Sequence, residues 1–376
     1  FKFWFYGQNT GNDIQVELLD NRAPDPGPEG WELVWSDEFN DPAGTPPNPK
    51  YWTHEIGDGA LNGITGWGNG EFQYYTDSTD NAATDGEGNL VITARKTPTD
   101  TNVACWYGTC DYTSARLISQ HKVDFAYGRI EANVKVPSGQ GLWPAFWMLG
   151  DDIGQVGWPT SGEIDIVEYV GKDPNAVYGT LHGPGYSGGD GYGSGPFDLG
   201  EPVADDFHLF AIEWEPGVIR WYIDDTNFFT ATEEALFDLK PNAEKWVYDH
   251  PFFLLMNLAV GGSFPGNPDE TTPFPAEMVV DYVRVYQAPD TSERFAATFT
   301  DDFTGWKQMS FPFSDFSRVP DQTLRAPTQI PNDGLTLTEM WGYSIDLPAE
   351  SSGAFYLDQI RLAEANKLYL PLIVKH

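Results

Sequence analysis

Cations are scarce in this chain. Its 376 residues hold 21 Lys and Arg against 56 Asp and Glu, a formal net charge of −35. Phosphate backbones and anionic bilayers are held by basic patches, so this balance argues against nucleic acid and acidic membranes as partners. It argues more weakly against sulfated or acidic polysaccharides; a neutral polymer fits better. Cysteine is nearly absent. Cys105 and Cys110 are the only two, with Trp-Tyr-Gly-Thr between them. An even pair on a short loop reads as a local disulfide, the habit of exported proteins. Metal binding would need further ligands close by, and none stand there. No apolar run reaches the ~20 residues of a membrane-spanning helix. The Gly-rich stretch Gly183–Gly195 lacks Gly-Lys-Ser/Thr, so a phosphate-binding loop is ruled out. The sequence begins with Phe rather than Met; the expectation is a secreted protein whose signal peptide has been removed.

Aromatics are abundant instead, with 14 Trp among them. Sugar rings present flat C–H faces that pack on indole, so this excess suits carbohydrate binding, although large β-sandwiches bury many aromatics as well. Helical periodicity hardly occurs. Short strand-like runs separated by Gly and Pro loops predict an all-β chain. The length allows two domains.

One stretch organises the rest: Gly-Glu-Ile-Asp-Ile-Val-Glu-Tyr, Gly162 to Tyr169. Its β-branched residues predict a buried strand. Alternation then puts Glu163 and Asp165 on one face and Glu168 on the other. A one-residue bulge between Asp165 and Glu168 would return Glu168 to the face of the other two. Glu163 and Glu168 would then lie about four ladder steps apart, about 13 Å between Cα atoms at ~3.3 Å per residue. Leaning inward, their carboxyls would come within about 5–6 Å, the separation of a retaining glycosidase. Three acids placed together with few cations nearby point to a task.

This stretch, preceded by Gly141-Leu-Trp-Pro-Ala-Phe-Trp-Met-Leu149, resembles the catalytic signature of glycoside hydrolase family 16. The extra residue before the last Glu resembles its laminarinase-type β-1,3-glucanase branch. Trp67-Gly-Asn-Gly-Glu-Phe-Gln-Tyr-Tyr75 and Asp281-Tyr-Val-Arg-Val-Tyr286 match as well, and the resemblance spans about residues 31–287. It implies a β-jelly-roll sandwich of the concanavalin A-like kind with a sugar cleft on its concave face. It also implies Glu163 as nucleophile, Glu168 as acid/base and Asp165 as their helper.

Trp143 and Trp147 are four apart on the preceding strand and share a face; the resemblance puts them in the cleft lining, with a core position open for Trp147. Trp158 stands in a loop, where an exposed Trp more often meets a ligand than a core. His182, in Tyr178-Gly-Thr-Leu-His182, is expected to bond Asp165 or a sugar hydroxyl. Arg116 either binds sugar or pairs with an acid of the cleft. Asn62 and Asn69, in Gly-rich loops, resemble sugar-hydroxyl ligands of the family. Catalysis needs no cofactor. The family often holds one structural Ca²⁺ where the terminal segments pair, which makes Glu38 and above all Asp281 candidate ligands.

Outside the resemblance, residues 1–22 predict two strands joined as a hairpin-like unit by Gly7–Asn12. Two strands do not stand alone. Residues 293–363 supply partners: Gly305-Trp-Lys-Gln-Met-Ser-Phe-Pro-Phe313 and Ala354-Phe-Tyr-Leu-Asp-Gln-Ile-Arg-Leu362 resemble a jelly-roll carbohydrate-binding module. The expected organisation is one discontinuous β-sandwich module, 1–22 with 293–363, interrupted by a catalytic domain at 31–287 between linkers 23–30 and 288–292. The module looks short at its N-terminal end, so opening strands are expected to be missing. Residues 364–376 form a short apolar tail. The whole reads as a monomeric, secreted endo-β-1,3-glucanase acting on a neutral β-glucan. The rivals are a β-1,3-1,4-glucanase, an agarase or carrageenase relative, and a non-catalytic glucan binder of the same fold.

Overall fold

The computed structural model describes residues 1–20, 31–97, 103–287, 293–319, 340–346 and 357–361. The chain divides into two compact units, Leu33–Gln287 and a second built from Phe1–Glu32 with Ala288–His376.

In the Leu33–Gln287 unit, alternation along each strand sorts side chains between a shared core and an outer face. Five strands surround and include the acid stretch: β1 (Arg116–Ile118), β2 (Leu142–Gly150), β3 (Glu163–Tyr169), β4 (Ala176–His182) and β5 (Phe252–Val260). They lie side by side in the order β4-β3-β2-β5-β1, all antiparallel, within a nine-stranded sheet. A ten-stranded sheet, with Gly128–Lys135, His208–Glu215 and Val218–Ile223 among its strands, forms the second layer. One apolar cluster draws on both sheets: Leu142, Phe146, Met148, Ile164 and Val167 from the first, Ile130, Phe210, Trp214 and Trp221 from the second. This is the β-jelly-roll sandwich. On β2 the core takes Leu142, Phe146 and Met148, which leaves Trp143, Ala145 and Trp147 on the opposite face.

The second unit holds two small sheets. Lys2–Gln8 lies between Thr304–Ser310 and Leu357–Arg361; Asp13–Asp20 lies between Glu293–Thr300 and Met340–Asp346. Phe1, Phe3 and Phe5 meet Ile14, Val16, Leu18, Phe295 and Phe311 in a core of their own. The hairpin expected at Gly7–Asn12 does not form, because the two strands it joins belong to different sheets. The segment is a corner, and Asp301 makes it one. That buried carboxylate accepts from the main-chain N–H groups of Gln8, Asn9 and Thr10 and from the Thr10 hydroxyl. A single strand runs Met340–Asp346; the linkers 23–30 and 288–292 and the tail 364–376 lie outside the described residues.

Candidate active site

The acid strand is bulged where the spacing of its acids demands it. Along β3, Asp165 pairs with Thr180 of β4 and Glu168 pairs with Tyr178, so Ile166 and Val167 together face the single residue Gly179. On the other side Glu163, Asp165 and Glu168 stand opposite Leu149, Trp147 and Ala145 of β2, the outer-face positions. All three acids therefore share the face of Trp143 and Trp147. Glu163 and Glu168 oppose positions four apart on both neighbours, Leu149 and Ala145 on β2, His182 and Tyr178 on β4. A bulge interrupts the ladder and leaves main-chain groups to be satisfied otherwise. Trp221 of the second sheet does so: its indole N–H donates to the Asp165 carbonyl at 2.8 Å. Gly179 lets that ring approach, since a Cβ there would sit 2.5 Å from Trp221 Cδ1.

His182 closes the group. Its Nε2 lies 3.1 Å from Asp165 Oδ2 and 3.9 Å from Glu163 Oε1. Glu163 Oε2 accepts from the Trp158 indole at 2.7 Å, although Trp158 itself is 48% exposed. Gly191 leaves room for the imidazole, because a Cβ there would meet His182 Cε1 at 2.6 Å. The Gly-rich loop after β4 thus edges the site. Glu168 accepts from the Thr180 hydroxyl at 3.4 Å.

Electrostatics separate the roles. Burial, with the Glu163 charge beside it, pushes the Asp165 carboxyl up to about 7. Burial and the Asp165 charge push Glu168 up to about 8, against the pull of the His182 charge and the Thr180 hydroxyl. Burial opposes a charge on His182, but its bond to Asp165 and the charges of Glu163 and Asp165 outweigh that and raise it to about 9. At neutral pH the site therefore favours a protonated carboxyl at Glu168 and a cationic His182, with the Asp165 carboxyl raised beside Glu163. A carboxyl held protonated near neutrality is what general-acid catalysis at a glycosidic oxygen requires.

Among the expected cleft residues, Trp143 and Trp147 lie half-buried on the acid face, and Trp147 also packs against a small apolar cluster of Ile118, Leu149, Phe253 and Leu255. Trp147 donates its N–H to Asn257 Oδ1 at 2.7 Å. Arg116 lies between two rings, 4.4 Å from the Trp67 centroid and 4.7 Å from that of Trp147, and its Nε bonds Glu55. Of its two expected partners, sugar or acid, it takes the acid and is 9% exposed. Asn62 and Asn69 are exposed, and each leans on a carboxylate: Nδ2 of Asn62 on Glu55 at 2.8 Å, Nδ2 of Asn69 on Glu71 at 3.1 Å.

Thr180 and Tyr178 were overlooked in the sequence. Counting back by twos from His182 reaches both, so alternation held the signal. Glu55, Glu71 and Asn257 gave none, because their partners are remote in the chain. Cys105 and Cys110 form a disulfide with Cα atoms 5.0 Å apart. The calcium expectation fares poorly at Glu38: both carboxylate oxygens bind the Arg284 guanidinium, at 2.9 and 2.8 Å. An adjacent guanidinium repels a second cation, so Glu38 does not fit as a ligand. Asp281 accepts from Asn133 Nδ2 at 2.9 Å. Among the described residues, the one grouping of three His, Cys, Asp or Glu ligand atoms is Glu163, Asp165 and His182, within 4.8 Å of one another.

Residues 70–284 match the model of glycosyl hydrolases family 16, and residues 285–365 that of a carbohydrate binding domain (family 11). A beta-glucanase of Rhodothermus marinus is 42% identical over 277 residues, 73% of this chain and 91% of that protein. The laminarinase catalytic domain of Thermotoga maritima superposes with a TM-score of 0.63 at 50% identity, covering 68% of this chain and 98% of that one. An endo-β-1,3-glucanase of Pyrococcus furiosus gives the same TM-score and identity over 68% of this chain and 94% of its own.

Proposed function

The chain belongs to glycosyl hydrolases family 16, and on that footing we propose that it is a retaining endo-β-1,3-glucanase working by double displacement. Glu163 attacks the anomeric carbon while Glu168 gives its proton to the departing glucosyl oxygen. Glu168 then takes a proton from water, and the hydroxide breaks the glycosyl-enzyme with net retention. Asp165, between His182 and Glu163, orients the nucleophile. The observation that carries this reading is the bulge at Ile166–Val167, which turns Glu168 to the face of Glu163 while burial holds its proton. The names of the Thermotoga and Pyrococcus relatives support β-1,3-glucan as substrate, as does the shortage of cations for a sulfated polymer. Export belongs to the same proposal and is supported by the disulfide.

The test is reducing-sugar release from laminarin, barley mixed-linkage glucan, agarose and carboxymethyl-cellulose, with Glu163→Gln alongside. Laminarin is expected to be cleaved, and the variant to lose about 1,000-fold or more in turnover while still binding laminari-oligosaccharides by calorimetry. Full activity in the variant overturns the assignment of the nucleophile.

A further inference from the structure

Behind the exposed Asn69 lies a chain of hydrogen bonds whose direction is fixed by the main chain. The Val260 N–H donates to Gln73 Oε1 at 2.7 Å, so the Gln73 amide has its nitrogen left to offer. That Nε2 donates to Glu71 Oε2 at 2.6 Å, and the Tyr75 hydroxyl reaches the same oxygen at 3.4 Å. Glu71 Oε1 is left to accept from Asn69 Nδ2 at 3.1 Å. Gln73 and Tyr75 are fully buried and Glu71 is 4% exposed. A carboxylate offers no hydrogen, so only the nitrogen of the Asn69 amide fits against it. The Asn69 carbonyl oxygen is thereby turned outward as an acceptor.

We propose that Glu71 is a positioning residue for glucan binding: it fixes the Asn69 amide nitrogen-inward, so that the carbonyl oxygen meets a sugar hydroxyl. The inference rests on Asn69 being a glucan contact. A buried carboxylate is costly: burial raises the Glu71 carboxyl, and the bonds from Asn69 and Gln73, followed by the Arg116 charge, pull against that rise. Gln at position 71 would keep the shape but place an amide nitrogen where an acceptor stood. Asn69 would then flip and show its NH₂ to the sugar.

The experiment is a double-mutant cycle on laminarin with Glu71→Gln, Asn69→Ala and both together, with melting temperatures recorded for each. Each single change is expected to raise KM about 5- to 10-fold, the worth of one hydrogen bond at a polymer contact, with the loss in KM rather than kcat. The double variant should be no worse than Asn69→Ala alone. Effects that multiply, or an unchanged KM in Glu71→Gln, overturn the proposal. An unchanged KM in Asn69→Ala overturns both the contact and its positioning, whereas failure of the unmodified protein to cleave laminarin overturns the substrate reading instead. Should Glu71→Gln not fold, the exposed Asn69→Asp serves. It retains an outward acceptor but sets an oxygen against Glu71, and the same rise in KM is expected; wild-type KM there overturns the proposal.

Discussion

The indole N–H of Trp221, in one sheet, donates to the main-chain carbonyl of Asp165, in the other, at 2.8 Å. The bond falls where the β3–β4 ladder is interrupted, and both partners are buried. It gives the bulge a fixed anchor, and the bulge decides which way Glu168 points. Trp221→Phe removes the donor and keeps most of the ring volume. It is expected to lower kcat on laminarin about 10-fold or more, with circular dichroism unchanged. Gly179→Ala pushes the same ring away and should act in the same direction. Wild-type kcat in both variants would show that the bulge holds its shape unaided.

Glu168 sets the alkaline limit of activity. Its carboxyl is raised to about 8, and the active form carries the proton. The rate on laminarin should fall as pH rises through about 8. An aryl β-laminaribioside whose phenolate leaves without a proton should lose this limb in its first step. Glu168→Gln should cleave that substrate far better than it cleaves laminarin. A laminarin profile flat from pH 6 to 10 would argue against Glu168 as the acid.

The same raised carboxyl works against folding. A carboxyl whose proton is held more tightly folded than unfolded adds stability below its unfolded pKa, and loses it as pH rises through the folded value. Glu168→Gln should therefore melt like the unmodified protein near pH 4 and increasingly above it as pH rises to about 8. The gain expected is about 1–3 kcal/mol, read by scanning calorimetry across that range. A gap independent of pH would point to packing rather than charge.

Asp301 is the keystone of the smaller unit. It accepts four hydrogen bonds from the corner at Gln8–Thr10 while 3% exposed. Asp301→Ala leaves three main-chain donors unmet and should destabilise that unit by about 2–4 kcal/mol. Proteolysis of the smaller unit should rise while laminarin cleavage persists. Equal protease resistance would mean that water replaces the carboxylate without loss.

The acid face was legible because its information is local: three acids among β-branched residues permit one arrangement on a single face, and that arrangement requires the bulge. Trp143 and Trp147 came from counting by twos. Arg116 was legible only as a charge in want of a partner, since Glu55 lies 61 residues away. The corner at Gly7–Asn12 carries the Gly and Asn that a hairpin also uses. What distinguishes the two is Asp301, nearly 300 residues further on. Glu38 showed its acid in the sequence but not Arg284, which takes both its oxygens.

The pairing of Lys2 with Ser310 and of Asp13 with Thr300 has a bearing on synthesis. A ribosome makes Phe1–Asp20 before the partner strands Glu293–Thr300 and Thr304–Ser310, with the entire Leu33–Gln287 unit between them. At ~5–20 residues per second the delay is on the order of 15–60 s. During it two nascent β-strands, one bearing Phe1, Phe3 and Phe5, await the partners they have among the described residues. The intervening unit has all its strands made before Glu293–Thr300 emerges, so it is free to fold ahead of them. The later-made segment thus completes the earlier one, and a premature stop after Gln287 would leave the Leu33–Gln287 sandwich whole while Lys2–Gln8 and Asp13–Asp20 lose the partner strands described here.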